Sequence, residues 1–383
     1  MNSKRLSHLE ELYRNRSRRA QELRWKGQKV VGYFCCHPPL EIMTALDLVP
    51  YRITGDVHEP ITKADSYLET IMCPFVRSSF DLAVKGRYDF LDGLVVPHTC
   101  DTIQRIYPIW TDHKNPEFSH FINVPHMLQS TSYEFYKKEM EVFVENLEKY
   151  TGKTLSTDRL AQEIALHNQN RALLRQLADL KKANPPLISG AEMTKVMTVI
   201  TALPPQEAKE LLKEIIKEVK ERRDGPKKQP VRLLVYGCEI SDSAFPELVE
   251  KSGANIVIDD LGMGTRSYWE DVAVTDDLLE GLARRYLEIR CPRTFRARSG
   301  TRRDDMENRF GHIGRFIRDF NVNGVILYII RYCDTHEIDV PDVIEYVHDM
   351  GLPVLHIEDD YSLGTQGQLG TRIQAFLETI AQG

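Results

Sequence analysis

The 383-residue sequence lacks the long apolar runs, the C-x-x-C cysteine pairs and the phosphate-binding loop that would each define a protein class. No apolar segment is long enough to cross a bilayer, and the first thirty residues hold no apolar signal core, so we expect neither a membrane protein nor an exported one. The net charge of −6 argues against nucleic-acid binding. No C-x-x-C pair typical of structural zinc sites is present, and without a G-x-x-x-x-G-K-[ST] loop the chain is not expected to hydrolyse ATP.

The bulk composition is that of a globular protein, with 42% hydrophobic and 28% charged residues. At this length the chain can bury two or three hydrophobic cores. We predict a cytoplasmic protein, in which thiols stay reduced and form no disulfide framework. Seven cysteines therefore need another explanation, as metal ligands or as buried apolar residues: Cys35, Cys36, Cys73, Cys100, Cys238, Cys291 and Cys333.

Two stretches of the chain alternate short apolar strands with helical patterns, which is typical of parallel sheets. The sequence predicts an α/β fold of two doubly wound, Rossmann- or flavodoxin-like domains, with a helical insert between them and the ligand site at their interface. A charged amphipathic helix over about residues 5–26 is expected before the first domain. The predicted parts are a helical arm at 1–27, a first domain at 28–130, an insert at 131–226 and a second domain at 227–383.

Two cysteines directly follow predicted strands, in GLVVPHTCD and GVILYIIRYCD, and a third lies at the edge of a predicted helix in IMCPFVRS. Because parallel sheets bind ligands at the carboxyl ends of their strands, Cys73, Cys100 and Cys333 are expected to meet between the domains. Soft thiolates favour zinc, copper(I) or an iron–sulfur cluster. Unpaired cysteines are more often small buried apolar residues, so spacing alone leaves both interpretations open.

The remaining cysteines give weaker signals. Cys35 and Cys36 are adjacent on or just after a strand, where neighbouring side chains point to opposite faces, so at most one is expected to face a site. Cys238 ends a strand and suits either a crevice or the core. Cys291 lies in an arginine-rich loop and receives no role.

Four stretches resemble the catalytic subunits of 2-hydroxyacyl-CoA dehydratases and benzoyl-CoA reductases. The resemblance runs from about residue 28 to the C-terminus and is weakest through the helical insert. Within this family the chain is similar above all to the smaller cluster-binding subunit of ATP-dependent, class I benzoyl-CoA reductases. The stretches are VVGYFCCHPPLEIMTALDLVPYRITGD, ETIMCPFVRSSFDLAVKGRYDFLDGLVVPHTCD, GVILYIIRYCD and PVLHIEDDYSLGTQGQLGTRIQAFLE.

The resemblance implies that Cys73, Cys100 and Cys333 bind one 4Fe-4S cluster, with a double-cubane 8Fe-9S cluster as the alternative. It also implies a homologous cluster-binding partner subunit, a separate iron–sulfur ATPase that activates the catalytic subunits, ferredoxin as the upstream electron donor, and an acyl-CoA substrate. Neither nucleic acid nor a membrane is an expected partner.

Histidine and arginine supply the further candidates. His98 in PHTCD is a candidate proton donor, because imidazole titrates near neutral pH, although a histidine there can equally orient its loop through a hydrogen bond. Arg293, Arg296 and Arg298 belong to an arginine-rich segment that suits the phosphates of CoA or an acidic partner subunit.

Three function classes follow from the resemblance. The first is a subunit that reduces an aromatic acyl-CoA, as in a benzoyl-CoA reductase, or dehydrates a 2-hydroxyacyl-CoA. The second is a homodimeric double-cubane protein that reduces small molecules without CoA. The third is a noncatalytic partner that completes an active site in another subunit. We expect the first, with reduction ahead of dehydration.

Overall fold

Four strands in the first third of the chain form a parallel sheet in the computed structural model, which describes residues 4–296 and 300–382. The strand order is β2-β1-β3-β4. Every residue of β1, β2 and β3 is buried, as expected for a parallel sheet covered by helices on both faces. The strands are β1 Val30–Tyr33, β2 Val49–Arg52, β3 Gly93–Pro97 and β4 Phe118–Ile122.

A second parallel sheet repeats this arrangement in the last part of the chain, with the order β6-β5-β7-β8. β5, β6 and β7 are buried throughout, and β8, one of the two edge strands, is partly exposed. The predicted α/β fold of two doubly wound parallel sheets is therefore confirmed. The strands are β5 Val231–Gly237, β6 Ala254–Asp260, β7 Gly324–Ile330 and β8 Val354–Asp359.

Helices cover both sheets and fill the region between them. Those of the first sheet and the arm before it are α1 Lys4–Arg14, α2 Arg18–Trp25, α3 Leu40–Ala45, α4 Pro74–Val84 and α5 Asp101–Lys114. The insert consists of α6 Ser130–Thr151, α7 Thr157–Asp179, α8 Gly190–Ile200 and α9 Pro205–Glu221. The second sheet has α10 Ala244–Lys251, α11 Thr265–Tyr268, α12 Leu278–Leu287, α13 Arg302–Asp319, α14 Asp334–Glu337, α15 Val340–Asp349 and α16 Gln366–Gln382.

The opening helix differs from the sequence prediction, because the expected single helix is two, α1 and α2, separated at residues 15–17. At the break the Asn15 side chain donates to the carbonyl oxygen of Glu11 at 3.1 Å. Such side-chain bonds compete with the backbone ladder of a helix. The guanidinium of Arg16 reaches Thr54 Oγ1 at 3.3 Å, so the break ties the arm to the first sheet.

The inserted helices contact both sheets. α7 packs against α3 of the first half, while α8 packs against α10 and β6 of the second, and α6 contacts both β4 and α12. The insert thus bridges the two halves, and the four-part division at residues 27, 130 and 226 stays a prediction. Among the described residues, no helix combines the length and the apolar character needed to span a bilayer.

In each sheet the first and third strands are neighbours, which places a topological switch point between β1 and β3 and between β5 and β7. Ligands of doubly wound folds bind at such points, beyond the carboxyl ends of the strands. A glycine allows the close approach needed at one of them. A Cβ on Gly237 would lie 1.9 Å from the carbonyl oxygen of Tyr328, so only glycine fits there, directly before Cys238.

Candidate metal centre

All seven cysteines line one cavity of about 100 Å³ between the two sheets. Four of the loops that supply them follow β1, β3, β5 and β7, the strands that flank the two switch points. The sequence prediction that Cys73, Cys100 and Cys333 come from separate loops to one place agrees with this geometry. Their thiols are close enough that Cys333 raises the pKa of both other thiols, after the larger rise caused by burial.

The same three cysteines share a local position, since each is the residue just before the first turn of a helix. Cys73 precedes α4, Cys100 precedes α5 and Cys333 precedes the short helix α14. The first N–H groups of a helix have no partner within the helix and carry partial positive charge. The amino ends of α4 and α5 therefore favour negative charge on Cys73 and Cys100.

Cys35 and Cys36 both line the cavity, contrary to the expectation that at most one would face a site. That expectation assumed strand geometry, but β1 ends at Tyr33. Cys35 has a φ of +57°, which turns the chain out of the alternating pattern. Burial, followed by the nearby Cys291, raises the pKa of Cys36 to about 12.

Cys333 is the one cysteine here whose pKa falls well below its ordinary value. A hydrogen bond from the Cys238 thiol is the main cause, and it outweighs burial, with further lowering by His336. The sulfur of Cys333 lies 3.2 Å from His336 Nδ1. Cys238, Cys333 and His336 place their donor atoms within 4.8 Å of one another. Cys333 is accordingly the thiol most ready to act as a thiolate.

Three buried guanidinium groups also line the cavity, those of Arg52, Arg266 and Arg293. Arg52 pairs with Glu239 at 2.9 Å and Arg266 with Asp260 at 2.8 Å. Arg293, only 1% exposed, donates to the carbonyl oxygen of Val124, while its Nε and Nη1 have no hydrogen-bond partner among the described residues. An uncompensated buried cation is costly, so the cavity is suited to an anionic occupant.

A larger, arginine-rich pocket of about 420 Å³ adjoins the cysteine cavity, and Arg266 lines both. Burial and the neighbouring Arg290 lower the pKa of Arg296, one of its lining residues, to about 10. Repulsion between cations in one pocket is relieved when an anion binds. The arginines of this pocket are Arg266, Arg284, Arg285, Arg290, Arg296 and Arg315.

A mainly apolar cavity of about 120 Å³ adjoins the cysteine cavity through Cys36 and Arg52. Two of its lining atoms, Tyr268 Oη and Asn170 Oδ1, are buried and have no hydrogen-bond partner in the described part of the chain. The cysteine cavity thus has one cationic and one apolar neighbour.

The other predicted site residues lie in different places. His98 is half-buried, lies tilted against Phe121 and edge-on to His126, and does not belong to the described lining of the cysteine cavity. Arg293 lines the cysteine cavity, whereas Arg296 lines the arginine-rich pocket and donates to the carbonyl oxygen of Glu288 at 3.0 Å. Arg298 lies outside the described residues. The roles predicted for these residues stay predictions.

The family model described as 2-hydroxyglutaryl-CoA dehydratase, D-component, matches residues 35–380. The chain belongs to this family. The match includes all seven cysteines and both sheets except the first strand.

Curated relatives of this D-component family member match nearly its whole length. The putative dehydratase subunit YjiM of Escherichia coli K12 is 27% identical, over 94% of this chain and 93% of the relative. The (R)-phenyllactyl-CoA dehydratase beta subunit of Clostridium sporogenes is 23% identical, over 92% of each chain. A benzoyl-CoA reductase subunit of Thauera aromatica is 24% identical, over 93% of each chain. The relatives are named as subunits of dehydratases and of a reductase, so this chain belongs to an enzyme family of multi-component complexes.

The cavity of this D-component family member fits an iron–sulfur cluster. Thiolates are the protein ligands that such clusters take, and a cluster held by thiolates is an anion. Arg293 and Arg266 Nη2 offer N–H groups that have no partner within the described ranges, and these donors suit the sulfurs and the charge of a cluster. The ligand atoms and the surrounding positive charge are therefore both of the kind that an iron–sulfur cluster needs.

Sequence reasoning missed two histidines that line the cavity, His37 and His336. His37 Nδ1 lies 3.1 Å from the carbonyl oxygen of Tyr286, and burial and then Arg293 hold its pKa well below the usual value. Since the carbonyl accepts, Nδ1 carries the hydrogen and Nε2 is an acceptor. Both histidines stand within three residues of a cysteine, a proximity signal that the sequence contained.

Proposed function

We propose that this chain is the iron–sulfur subunit of a heteromeric enzyme acting on an acyl-CoA thioester, with one 4Fe-4S cluster on Cys73, Cys100 and Cys333. One observation carries the proposal. A cavity lined by these thiols and by the uncompensated guanidinium of Arg293 adjoins an arginine-rich pocket large enough for phosphate groups. The cysteine cavity is complementary to an anionic redox centre, and the adjoining arginine-rich pocket is complementary to a phosphorylated substrate.

The finer proposal is reduction of an aromatic acyl-CoA, the activity in the name of the Thauera aromatica relative. The apolar cavity beside Cys36 supports it, because its volume of about 120 Å³ is close to the ~150 Å³ of an engineered cavity that binds benzene. Dehydration of a 2-hydroxyacyl-CoA is the alternative, and the names of other relatives support it equally. The two reactions differ in electron balance, since only reduction consumes electrons overall.

The residues of the chain have separable tasks in this proposal. A bound cluster would supply electrons one at a time to the activated acyl group. Arg296 and Arg290 bind the phosphates of CoA. Both also line a separate pocket of about 200 Å³ that shares Cys291 with the cysteine cavity, so the thioester reaches the cavity past Cys291. Arg293 donates N–H groups towards the negative charge in the cavity. His98 remains the proposed proton donor, and His37, whose Nε2 has no partner in the described part of the chain, is a second candidate for holding a proton.

The partners proposed are a homologous cluster-binding subunit, a separate iron–sulfur ATPase and ferredoxin as the upstream donor, all in the cytoplasm. The absence of a P-loop sequence supports a separate ATPase. The word "subunit" in the names of the curated relatives supports a heteromeric assembly.

The decisive experiment is iron and acid-labile sulfide analysis of anaerobically purified protein, with EPR spectra of the reduced protein before and after addition of benzoyl-CoA. We expect about four of each per chain and a spectrum that changes with the substrate. Serine at Cys73, Cys100 or Cys333 should abolish cluster iron, with Cys35→Ser and Cys291→Ser as matched controls that retain it. Full iron in any of the first three variants would refute the ligand set.

A homodimeric double-cubane protein is the second candidate function, and one specific observation favours it. Four cysteines beyond the proposed ligands line the same cavity, namely Cys35, Cys36, Cys238 and Cys291. Two joined cubanes need more thiolates than one. This candidate predicts about eight irons per chain, no effect of benzoyl-CoA on the spectrum, and iron loss in Cys238→Ser and Cys291→Ser, so the same analysis separates it from the first.

A further inference from the structure

His336 stands between a cavity sulfur and a buried guanidinium. Its Nδ1 lies 3.2 Å from Cys333 Sγ, and its Nε2 lies 2.9 Å from Arg266 Nη1. The ring is 6% exposed and packs edge-on against Tyr236, with 6.0 Å between ring centroids. Each ring nitrogen of this largely buried side chain therefore lies within hydrogen-bonding distance of a polar atom.

The arginine decides which ring nitrogen carries the hydrogen. A guanidinium is always protonated and only donates, so Nε2 of His336 must accept with its lone pair. The neutral ring then carries its hydrogen on Nδ1, which points it at the sulfur of Cys333. Arg266 itself is held by Asp260 Oδ1 at 2.8 Å and by the carbonyl oxygen of Gly237 at 2.9 Å. The direction of the N–H···S contact is thus imposed from outside the ring.

We propose that His336 donates an N–H···S hydrogen bond to the cluster-ligand sulfur of Cys333 and so sets the cluster's reduction potential, with Arg266 as the positioning residue that fixes the tautomer. This inference rests on the proposed cluster. Hydrogen bonds to ligand sulfurs stabilise the more negative, reduced state and raise the potential. His336 therefore makes the cluster easier to reduce than the thiolates alone would.

A direct metal–imidazole bond is the competing interpretation, since Cys238, Cys333 and His336 bring their donor atoms within 4.8 Å. A metal ligand needs a free ring lone pair. In His336 the Nε2 lone pair accepts from Arg266, and Nδ1 carries the hydrogen. No ring nitrogen is left for a metal while Arg266 stays in place, so the geometry favours the donor role.

The test compares His336→Phe, which keeps the ring and loses the donor, with His336→Asn, whose amide can restore an N–H near the position of Nδ1. Iron and sulfide are measured first on the anaerobically purified proteins, and the midpoint potential follows from an EPR-monitored redox titration. We expect full iron in both variants, a lower potential in His336→Phe and a smaller decrease in His336→Asn. His336→Leu replaces His336→Phe if the latter does not fold. Thr335→Val is the control: the Thr335 hydroxyl lies 3.8 Å from the same sulfur and 3.5 Å from His336 Nδ1, both longer than the 3.2 Å from Nδ1 to the sulfur, so its loss should shift the potential least.

If His336→Phe kept its iron and had the same potential as the unsubstituted protein, only the role of His336 would be overturned, and the proposed cluster would stand. Iron loss in His336→Phe and His336→Asn together would overturn that role in favour of a ligand role. A chain that holds no iron even before substitution would overturn the proposed cluster, and with it this inference. The iron analysis therefore separates failure of the proposed function from failure of the inference.

Discussion

Replacing Arg171 by methionine tests how firmly the loop that carries Cys35 and Cys36 is anchored. That loop leads into α3, where the fully buried carboxylate of Glu41 accepts from Arg171 and, at 2.7 Å, from the hydroxyl of Tyr286. The three residues belong to α3, α7 and α12, so this one cluster joins the first sheet, the insert and the second half.

The stability that this cluster contributes follows from the ionisation of Glu41. Burial raises the pKa of this carboxyl, but Arg171, helped by His167, outweighs it and lowers the pKa from 4.5 to about 2. At about 1.4 kcal/mol per unit, the native environment of the carboxylate is worth ~3 kcal/mol near neutral pH. Because the folded-state pKa is the lower one, this contribution is complete above about pH 5 and disappears as the pH falls towards 2.

Arg171→Met leaves Glu41 buried without its cation, and we expect the free energy of unfolding to fall by about 3–5 kcal/mol at pH 7 in anaerobic urea titrations followed by circular dichroism. The double variant Glu41→Gln, Arg171→Met removes the unpaired charge and should recover much of that loss. Arg284→Met is the matched control, because its exposed pair with Glu280 on α12 is screened by water and its loss should change the stability little. A loss below about 1 kcal/mol in Arg171→Met, or a double variant no more stable than the single one, would refute the reasoning.

Four further predictions concern single residues. Gly237→Ala should lower the thermal unfolding midpoint and the iron content together, because its Cβ would meet the backbone of β7; an unchanged midpoint would contradict this. Tyr268→Phe should change the unfolding free energy by less than ~0.5 kcal/mol, since its buried hydroxyl lacks a partner among the described residues, and a larger loss in urea titration would show a missed bond. Arg293→Met should stabilise the cluster-free protein by about 1–4 kcal/mol yet destabilise the protein with its cluster bound. If the unfolding free energy changed in the same direction in both forms, this prediction would be wrong. Arg296→Ala should weaken CoA binding about tenfold by calorimetry, whereas unchanged affinity would place the phosphates elsewhere.

The fold was predictable from the sequence because most strands of the two sheets are short, mainly apolar segments, which leave a strong local pattern. All eight strands overlap the segments that this pattern indicates, and long helices occupy the stretch between the two sheets. The break in the opening helix was not predictable from propensity, since residues 15–17 contain neither proline nor glycine. The break coincides with the Asn15 side-chain bond to Glu11 and with a tertiary contact from Arg16 to Thr54, and the local sequence does not reveal the second.

The candidate site was predictable only in part. Cys100 and Cys333 carried a positional signal, the end of a strand, whereas Cys291 lies in a loop whose path only the folded chain defines. The pair Cys35 and Cys36 was misjudged because the backbone leaves the strand geometry one residue earlier, with a positive φ at Cys35. Arg293 and Arg296 are three residues apart but line different cavities, which spacing in an irregular segment does not reveal.

The order of the cysteines along the chain has a consequence for biosynthesis. Four of the cavity's thiols lie in the first hundred residues, and the other three follow after the long inserted helices. At about 5–20 residues per second, the ribosome needs on the order of 10–50 s to travel from Cys100 to Cys333. During that interval the nascent chain carries four to six of these thiols before all the loops that form the cavity have been made. The period of greatest vulnerability to oxidants therefore comes before the protein is complete, and it lengthens whenever translation through the insert slows.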